Sequence, residues 1–303
     1  IKEETRKKIQ NVVKENNYIP NSFARLKAKE SNTVGVIVPT LNSKVTSRVV
    51  TSVGRYLRSQ GYEALIKDSD HSPKLELENI NRLFTQKVDG ILFSAISLTE
   101  EHKQLLMNSP VPVVVLAQNF EEGITVTMDD YTAGKTMGSF MGSRVRGKIA
   151  YLGVEEEDEA VGIFRRQGVL EGIKESGSQV MTVETGDYSY VSGQEMMEKV
   201  LEKGIPDGVI CATDRLAFGA YRILQKHGIL IPEQVSVAGF GGYDESELLS
   251  PQLTTLRFDS YGLGYLGAET LLKMIREEPV PKKQIVGFEM ILGKSVRNEN
   301  TVK

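Results

Sequence analysis

Arg165, Asp129 and Asp214, with Tyr188 and Tyr243, are the side chains in this sequence whose types suit recognition of a polyhydroxylated molecule. A guanidinium and carboxylates engage hydroxyls through charged hydrogen bonds, and a tyrosine ring lies against the apolar face of a pyranose. Each follows a run that reads as a buried strand. The stretches so placed are residues 40–46, 129–130, 155–165, 187–188, 213–214 and 241–244. Ser43 and Thr46 in the first stretch, Thr213 beside Asp214, and Phe258 at the end of LTTLRF complete the candidate set. A competing role exists for the acids, since Asp130 and Asp214 stand where the following helices need an N-cap.

Other chemistries find little support. There is no G-x-x-x-x-G-K-[ST] loop and no G-x-G-x-x-G after the first strand; GFGGYD from Gly239 follows a late strand and leads into no matching helix. His71, His102 and His227 are scattered at predicted helix ends or loops, and Cys211 sits inside a strand, so neither a metal set nor an activated nucleophile is assembled. EEEDE at 155–159 lacks the Asp/Asn/Gly spacing of a cation loop and reads as a solvated acidic segment. No catalytic residue, metal or cofactor is assigned, and an enzyme is disfavoured.

The elements that must position the candidates form two series. Val34 to Val38 is an unbroken apolar run ending at Pro39, the pattern of a parallel strand buried on both faces. It opens an alternation of strands (VGVIVP, YEALI, DGILFS, VPVVVLA) with helices near 45–60, 73–86 and 99–108. A second series begins near Asp129, with strands KIAYLG, QVMTVE, DGVICA and VSVAGF and helices near 130–144, 161–175, 192–202 and 213–227. LTTLRF, a helix near 261–278 and KQIVGFEMI close the chain. Two tandem series predict an α/β protein of two doubly wound parallel-sheet lobes. Such lobes bind ligands at the carboxyl ends of their strands, so the predicted site is a cleft between them.

At 303 residues the length suits two domains, and a net charge of −3 argues against a surface that coats nucleic acid. The first 29 residues differ: Lys2, Arg6, Lys7, Lys8, Lys14, Arg25, Lys27 and Lys29 face only Glu3, Glu4 and Glu15, a basic arm on an acidic body. A single cysteine rules out an internal disulfide and favours a reducing cytoplasm. No apolar run approaches the ~18 residues of a membrane span, and the opening Ile1-Lys2-Glu3-Glu4 shows no signal peptide; its lack of Met suggests a lost N-terminus.

Over nearly its whole length the sequence resembles the lactose/galactose repressor family of bacterial transcription regulators. The resemblance is carried by EETRKKIQNVVKENNYIPNSFAR, NTVGVIVP, MDDYTAG, FRRQGVLEGI, CATDRLAFGAYRILQKHGILIPEQVSVAGFGGYD and PQLTTLRF. It implies a periplasmic-binding-protein-like body, preceded by a helical DNA-binding headpiece of which residues 1–32 keep a remnant and the hinge. It assigns 33–142 plus 258–287 to lobe 1 and 143–257 plus 288–303 to lobe 2. Arg165, Asp129, Tyr188 and Thr213 fall at effector-contacting positions. Asn21, Ala24, Arg25, Leu26 and Lys27 would form the hinge that enters the DNA minor groove, although Leu26 follows Arg25 one residue sooner than in relatives. Scanning and recognition helices are absent from the sequence, so this chain is expected to bind DNA with no operator preference.

GFGGYD and LNSKVTSR look most like repressors of sucrose or trehalose operons. The implied function is a cytoplasmic, sugar-responsive repressor: a homodimer binding operator DNA and a disaccharide or sugar phosphate, with no membrane partner. Val49, Val53, Tyr56 and Leu57 are expected to contribute apolar dimer surface. One alternative is a carbon-catabolite regulator, controlled by a phosphorylated phosphocarrier protein docking near Lys44, Arg48, Arg55 and Arg58. Another is a sugar-binding transport receptor.

Overall fold

The computed structural model describes Thr5 and residues 31–297. Apart from Thr5 and residues 31–32, the headpiece remnant lies outside the described residues, as do the hinge residues Asn21, Ala24, Arg25, Leu26 and Lys27.

Lobe 1 is a six-stranded parallel sheet in the order β2-β1-β3-β4-β5-β11, formed by β1 (Thr33–Val38), β2 (Glu63–Asp68), β3 (Gly90–Ser94), β4 (Val113–Leu116), β5 (Ile124–Met128) and β11 (Lys283–Val286). Its apolar runs are buried on both faces, as the sequence demands. Val34, Val36 and Val38 meet helices α1 (Lys44–Ser59) and α8 (Ser260–Ile275) on one side. Ile37, Ile91 and Phe93 meet α2 (Pro73–Thr85) and α3 (Glu100–Met107) on the other. Ser43, Ser72 and Thr99 cap these first three helices, each accepting a backbone N–H of the first turn.

Lobe 2 repeats the order as β7-β6-β8-β9-β10-β12, from β6 (Lys148–Val154), β7 (Gln179–Gly186), β8 (Gly208–Cys211), β9 (Ser236–Phe240), β10 (Thr254–Phe258) and β12 (Phe288–Ile291). Only β12 runs antiparallel. Around it pack α4 (Asp130–Val145), α5 (Arg166–Glu175), α6 (Tyr190–Glu202) and α7 (Asp214–Lys226).

The chain crosses between lobes at Asp129, Asp259 and Gly287, each a single residue between one lobe's strand and the other lobe's element. Asp259 N donates to Gly287 O at 3.0 Å, tying two crossings together. The first crossing falls at Asp129 rather than after residue 142, because Ala133, Met137, Met141 and Val145 of α4 are buried in the lobe 2 core. Phe258 likewise completes β10 in lobe 2.

Three further expectations are corrected. ITVTM forms β5, which lacks a long apolar run and was not anticipated. The helix expected over 161–175 begins as a π-helix over Glu159–Arg165 before continuing as α5. Val49, Val53 and Leu57 are consumed by packing within lobe 1, and the Tyr56 ring sits edge-on to Tyr265 at 4.9 Å, so these three aliphatic residues are not available to a second subunit.

Candidate functional site

The shared order places a topological switch point between β1 and β3 in lobe 1 and between β6 and β8 in lobe 2. Ligands collect outside the strand ends at such points. A cavity of about 670 Å³ lies there, between the lobes, within the range that small-molecule sites occupy.

Seven of the nine predicted side chains line it: Ser43, Thr46, Arg165, Tyr188, Thr213, Tyr243 and Phe258. Asp129 and Asp214 do not. Asp129 caps α4, its carboxylate accepting from Thr132 N at 3.0 Å, and Thr213 rather than Asp214 caps α7. In both helices the cap lies one residue before the acid expected to supply it, which frees Asp130 and Asp214 for tertiary contacts.

Asp130 uses that freedom to hold Arg165. The guanidinium, on a residue only 6% exposed, donates from Nε and Nη2 to Asp130 Oδ1 at 2.8 and 2.5 Å, and from Nη1 to Ala212 O at 2.7 Å. Three of its five N–H groups are thereby engaged, leaving one on each terminal nitrogen for a ligand. The rings of Phe240 and Phe258 lie 5.0 and 5.1 Å from the guanidinium carbon and fix its plane. Burial pushes the Asp130 carboxyl up from its ordinary value, with the Arg165 charge opposing. Arg165 rises too, burial working against its charge and Asp130 outweighing it. Arg166, one residue on, pairs with Glu156 at the surface.

Glycine makes this pairing possible. A Cβ at Gly134 would stand 2.2 Å from Arg165 O, and one at Gly168 2.1 Å from Tyr131 O. The α4 and α5 backbones approach closely only because MDDYTAG and FRRQG carry no side chain at these points, and the approach sets Asp130 against Arg165. Since Arg165 neutralises a buried acid, it supports lobe 2 as well as facing the cleft.

Asp214 is fully buried and organises the loop after β9. Its Oδ2 accepts from Tyr243 N at 2.8 Å and Ser246 Oγ at 3.0 Å, and its Oδ1 from Thr255 Oγ1 at 2.6 Å. Burial raises its carboxyl, and these hydrogen bonds pull the other way. Gly241 and Gly242 turn the loop at φ +134° and +57°, where a side chain would meet the Tyr243 ring or the Arg257 stem within 2.8 Å. The turn explains why GFGGYD leads to no phosphate-binding helix: it aims Tyr243 across the cleft, where burial raises the phenol and hydrogen bonding with Ser43 and the Lys44 backbone opposes that rise.

The aspartate of EEEDE is not simply solvated. Asp158 caps the π-helix through Val161 N at 3.1 Å, and accepts from Gln118 Nε2 of lobe 1 at 3.1 Å and from the Tyr188 hydroxyl at 2.5 Å. Burial, and then Asp158, push the Tyr188 phenol well above its ordinary value. The Tyr188 ring stacks on His71 of lobe 1, 5.9 Å between centroids and 16° between planes. Gln118, Asp158, Asp130 and His71 are not singled out as contacts in the sequence; the strand-end stretches 129–130 and 155–165 point towards Asp130 and Asp158, and nothing points to the other two.

The lobes are also latched directly. Arg48 of lobe 1 donates to Gly241 O at 3.0 Å and Gly242 O at 2.7 Å, Lys44 lies 3.2 Å from Glu245, and Arg215 of lobe 2 donates to Asn42 O at 2.8 Å. Lys44 and Arg48, expected to be part of a basic docking patch, are thus turned onto lobe 2.

Comparison with known proteins agrees with this architecture. Residues 144–296 match the model of the periplasmic binding protein-like domain. The chain is 28% identical to the sucrose operon repressor of Staphylococcus xylosus over 94% of its own length and 89% of the relative's. It is 30% identical to catabolite control protein A of Staphylococcus epidermidis over 94% and 88%. The crystal structure of transcription regulator CcpA of Lactococcus lactis superimposes with a TM-score of 0.79 at 25% identity, covering 88% of this chain and 99% of that one. Among the described residues no helix is long and apolar enough to cross a membrane.

Proposed function

The chain belongs to the LacI, or lactose/galactose repressor, family of transcription regulators, and from that premise we propose that it is a repressor whose effector is a small carbohydrate held between the two lobes. The observation that carries this reading is the Arg165 guanidinium, fixed by Asp130 and two aromatic rings, with an N–H on each terminal nitrogen unclaimed. Neighbouring hydroxyls of a sugar ring take such a pair in one plane. Thr213, Ser43 and Thr46 supply neutral donors and acceptors around it, and Tyr188, Tyr243 and Phe258 supply apolar faces.

Binding makes or breaks no bond. The effector acts by favouring one lobe arrangement, and the three single-residue crossings at Asp129, Asp259 and Gly287 are where the lobes pivot. A pair of subunits carries that change to the hinge, whose Asn21, Ala24, Arg25, Leu26 and Lys27 contact operator DNA in the cytoplasm. By linkage, sugar and operator each change the other's affinity by the same factor. The test is titration calorimetry of the chain against a panel of mono- and disaccharides. One molecule bound per chain, competing with a second sugar for the cleft, is expected; heatless titrations across the panel would overturn the reading.

A further inference from the structure

The charges around the cavity bear on the class of effector, an inference that rests on the carbohydrate reading above. Six carboxylates line it (Asp70, Asp130, Glu155, Glu157, Asp158 and Asp187), against the guanidiniums of Arg165 and Arg215 and the imidazole of His71. Neither guanidinium is a buried cation awaiting an anion. Arg165 is neutralised by Asp130, whereas the partly exposed Arg215 donates to the neutral Asn42 O and Asn42 Oδ1 at 2.8 and 3.2 Å and keeps its charge, one cation facing a larger number of acids. Of the acids, only Asp130 is neutralised in return. Asp70, Glu155, Glu157 and Asp187 are exposed at the mouth, the first from lobe 1 and the others from lobe 2. Hydrogen bonds from Ser189 hold the Asp187 carboxyl below its ordinary value, so it keeps its charge.

Helix N-termini are the other common means of holding a phosphate, through their free N–H groups and dipole. Those bordering this cavity each have one first-turn N–H already bonded to a cap. Ser43, Thr213 and Ser189 cap α1, α7 and α6, and Asp158 caps the π-helix with a full negative charge.

We propose that the cleft selects an uncharged sugar and rejects the phosphate ester of that same sugar. A carboxylate is an acceptor only. Hydroxyls meet it with a proton to donate, whereas a phosphoryl group at neutral pH brings further acceptors and like charge into a cleft whose walls focus a negative field. A sugar phosphate would enter past four exposed acids and find no unpaired buried cation at the end.

The test titrates the chain with sucrose and sucrose 6-phosphate, and with trehalose and trehalose 6-phosphate, at low and high salt. A neutral sugar is expected to bind, with its ester weaker by roughly tenfold or more at low salt, and the gap is expected to narrow as salt screens the acids. The double variant Asp70→Asn, Asp187→Asn should narrow it in the same way. An ester that binds as tightly as its parent overturns the inference while the carbohydrate reading stands. A preference that neither salt nor the double variant alters also overturns it, because shape and not charge would then exclude the ester. Binding by no member of either pair, or of the wider sugar panel, overturns the carbohydrate reading and this inference together.

Discussion

Lobe 1 and lobe 2 share one strand order, yet the buried ionic groups that build the cleft, Arg165, Asp130 and Asp214, all belong to lobe 2, while lobe 1 presents Ser43, Thr46 and Gln118. Lobe 1 has a buried ionisable pair of its own, Glu76 and His102 with 3.3 Å between carboxylate and ring nitrogen, but neither residue lines the cavity. The difference teaches a division of labour. Lobe 2 is a half-site assembled in advance, its anchoring groups locked by the same contacts that stabilise the fold. Lobe 1 is a mostly neutral jaw held to lobe 2 by the latch of Arg48, Lys44 and Asn42, beside the contacts of Gln118 with Asp158 and of His71 with Tyr188. Substitutions in lobe 2 should therefore damage stability and binding together, and substitutions in the latch should alter closure alone.

The largest effect is expected at Arg165. Arg165→Ala leaves Asp130 buried without a partner, which costs about 3–5 kcal/mol of stability and should appear as a lowered urea midpoint. Arg165→Lys keeps a positive charge beside Asp130 and should lose less stability, yet it cannot present two coplanar donors, so sugar affinity falls by about 2–4 kcal/mol. Stability equal to that of the parent in Arg165→Ala would erase the contrast between the lobes.

Asp214→Ala comes next. Three donors lose their acceptor, and a loss of about 2–3 kcal/mol is expected by chemical denaturation, with weaker sugar binding because Tyr243 is no longer aimed. The protonated form of Asp214 is favoured in the folded chain, so its contribution is fully present below the ordinary aspartate range and declines as pH rises through the folded value. Asp214→Asn, permanently uncharged, should flatten that part of the stability profile.

Arg48→Ala sharpens the comparison from the other side. It removes hydrogen bonds to Gly241 O and Gly242 O without touching either core. Small-angle scattering should show a more open particle, with sugar affinity reduced by about 1–2 kcal/mol and unfolding of each lobe unchanged. Unaltered scattering and affinity would show that the latch does not hold the lobes together. The smallest effect is expected at Asp187. Its carboxyl is depressed by Ser189, so it contributes above the ordinary aspartate value and the contribution is lost as pH falls through the depressed value. In stability, Asp187→Asn should fall slightly below the parent at neutral pH, with the gap closing as pH falls through that value.

Most of the fold was legible because buried parallel strands and capped helices write themselves as apolar runs and Ser/Thr-x-x starts, from VGVIVP to VSVAGF. ITVTM escaped because alternating threonines lower its hydrophobicity, although Thr125 and Thr127 are buried in β5. The crossing at Asp129 is hidden for a tertiary reason: nothing local in α4 says which lobe takes its apolar residues, and it is their burial in the lobe 2 core and the glycine contact with α5 that commit it. In the cleft, strand-end position identified which stretches converge. It does not distinguish a cap from a contact one residue away, and so it selects Asp129 and Asp214 as lining groups and Asp130 as a cap. Latch residues such as Arg48 pair with carbonyls nearly two hundred positions distant, and no local pattern announces them.

The most direct test of the preassembled half-site is calorimetric titration of the parent chain, Arg165→Lys and Arg166→Ala with whichever neutral sugar binds the parent most tightly. Arg165 faces the cleft and Arg166 is turned to Glu156, one position round the helix. The account predicts that Arg166→Ala binds within about 0.5 kcal/mol of the parent while Arg165→Lys is weaker by about 2 kcal/mol or more. Equal affinities in the two variants would contradict it.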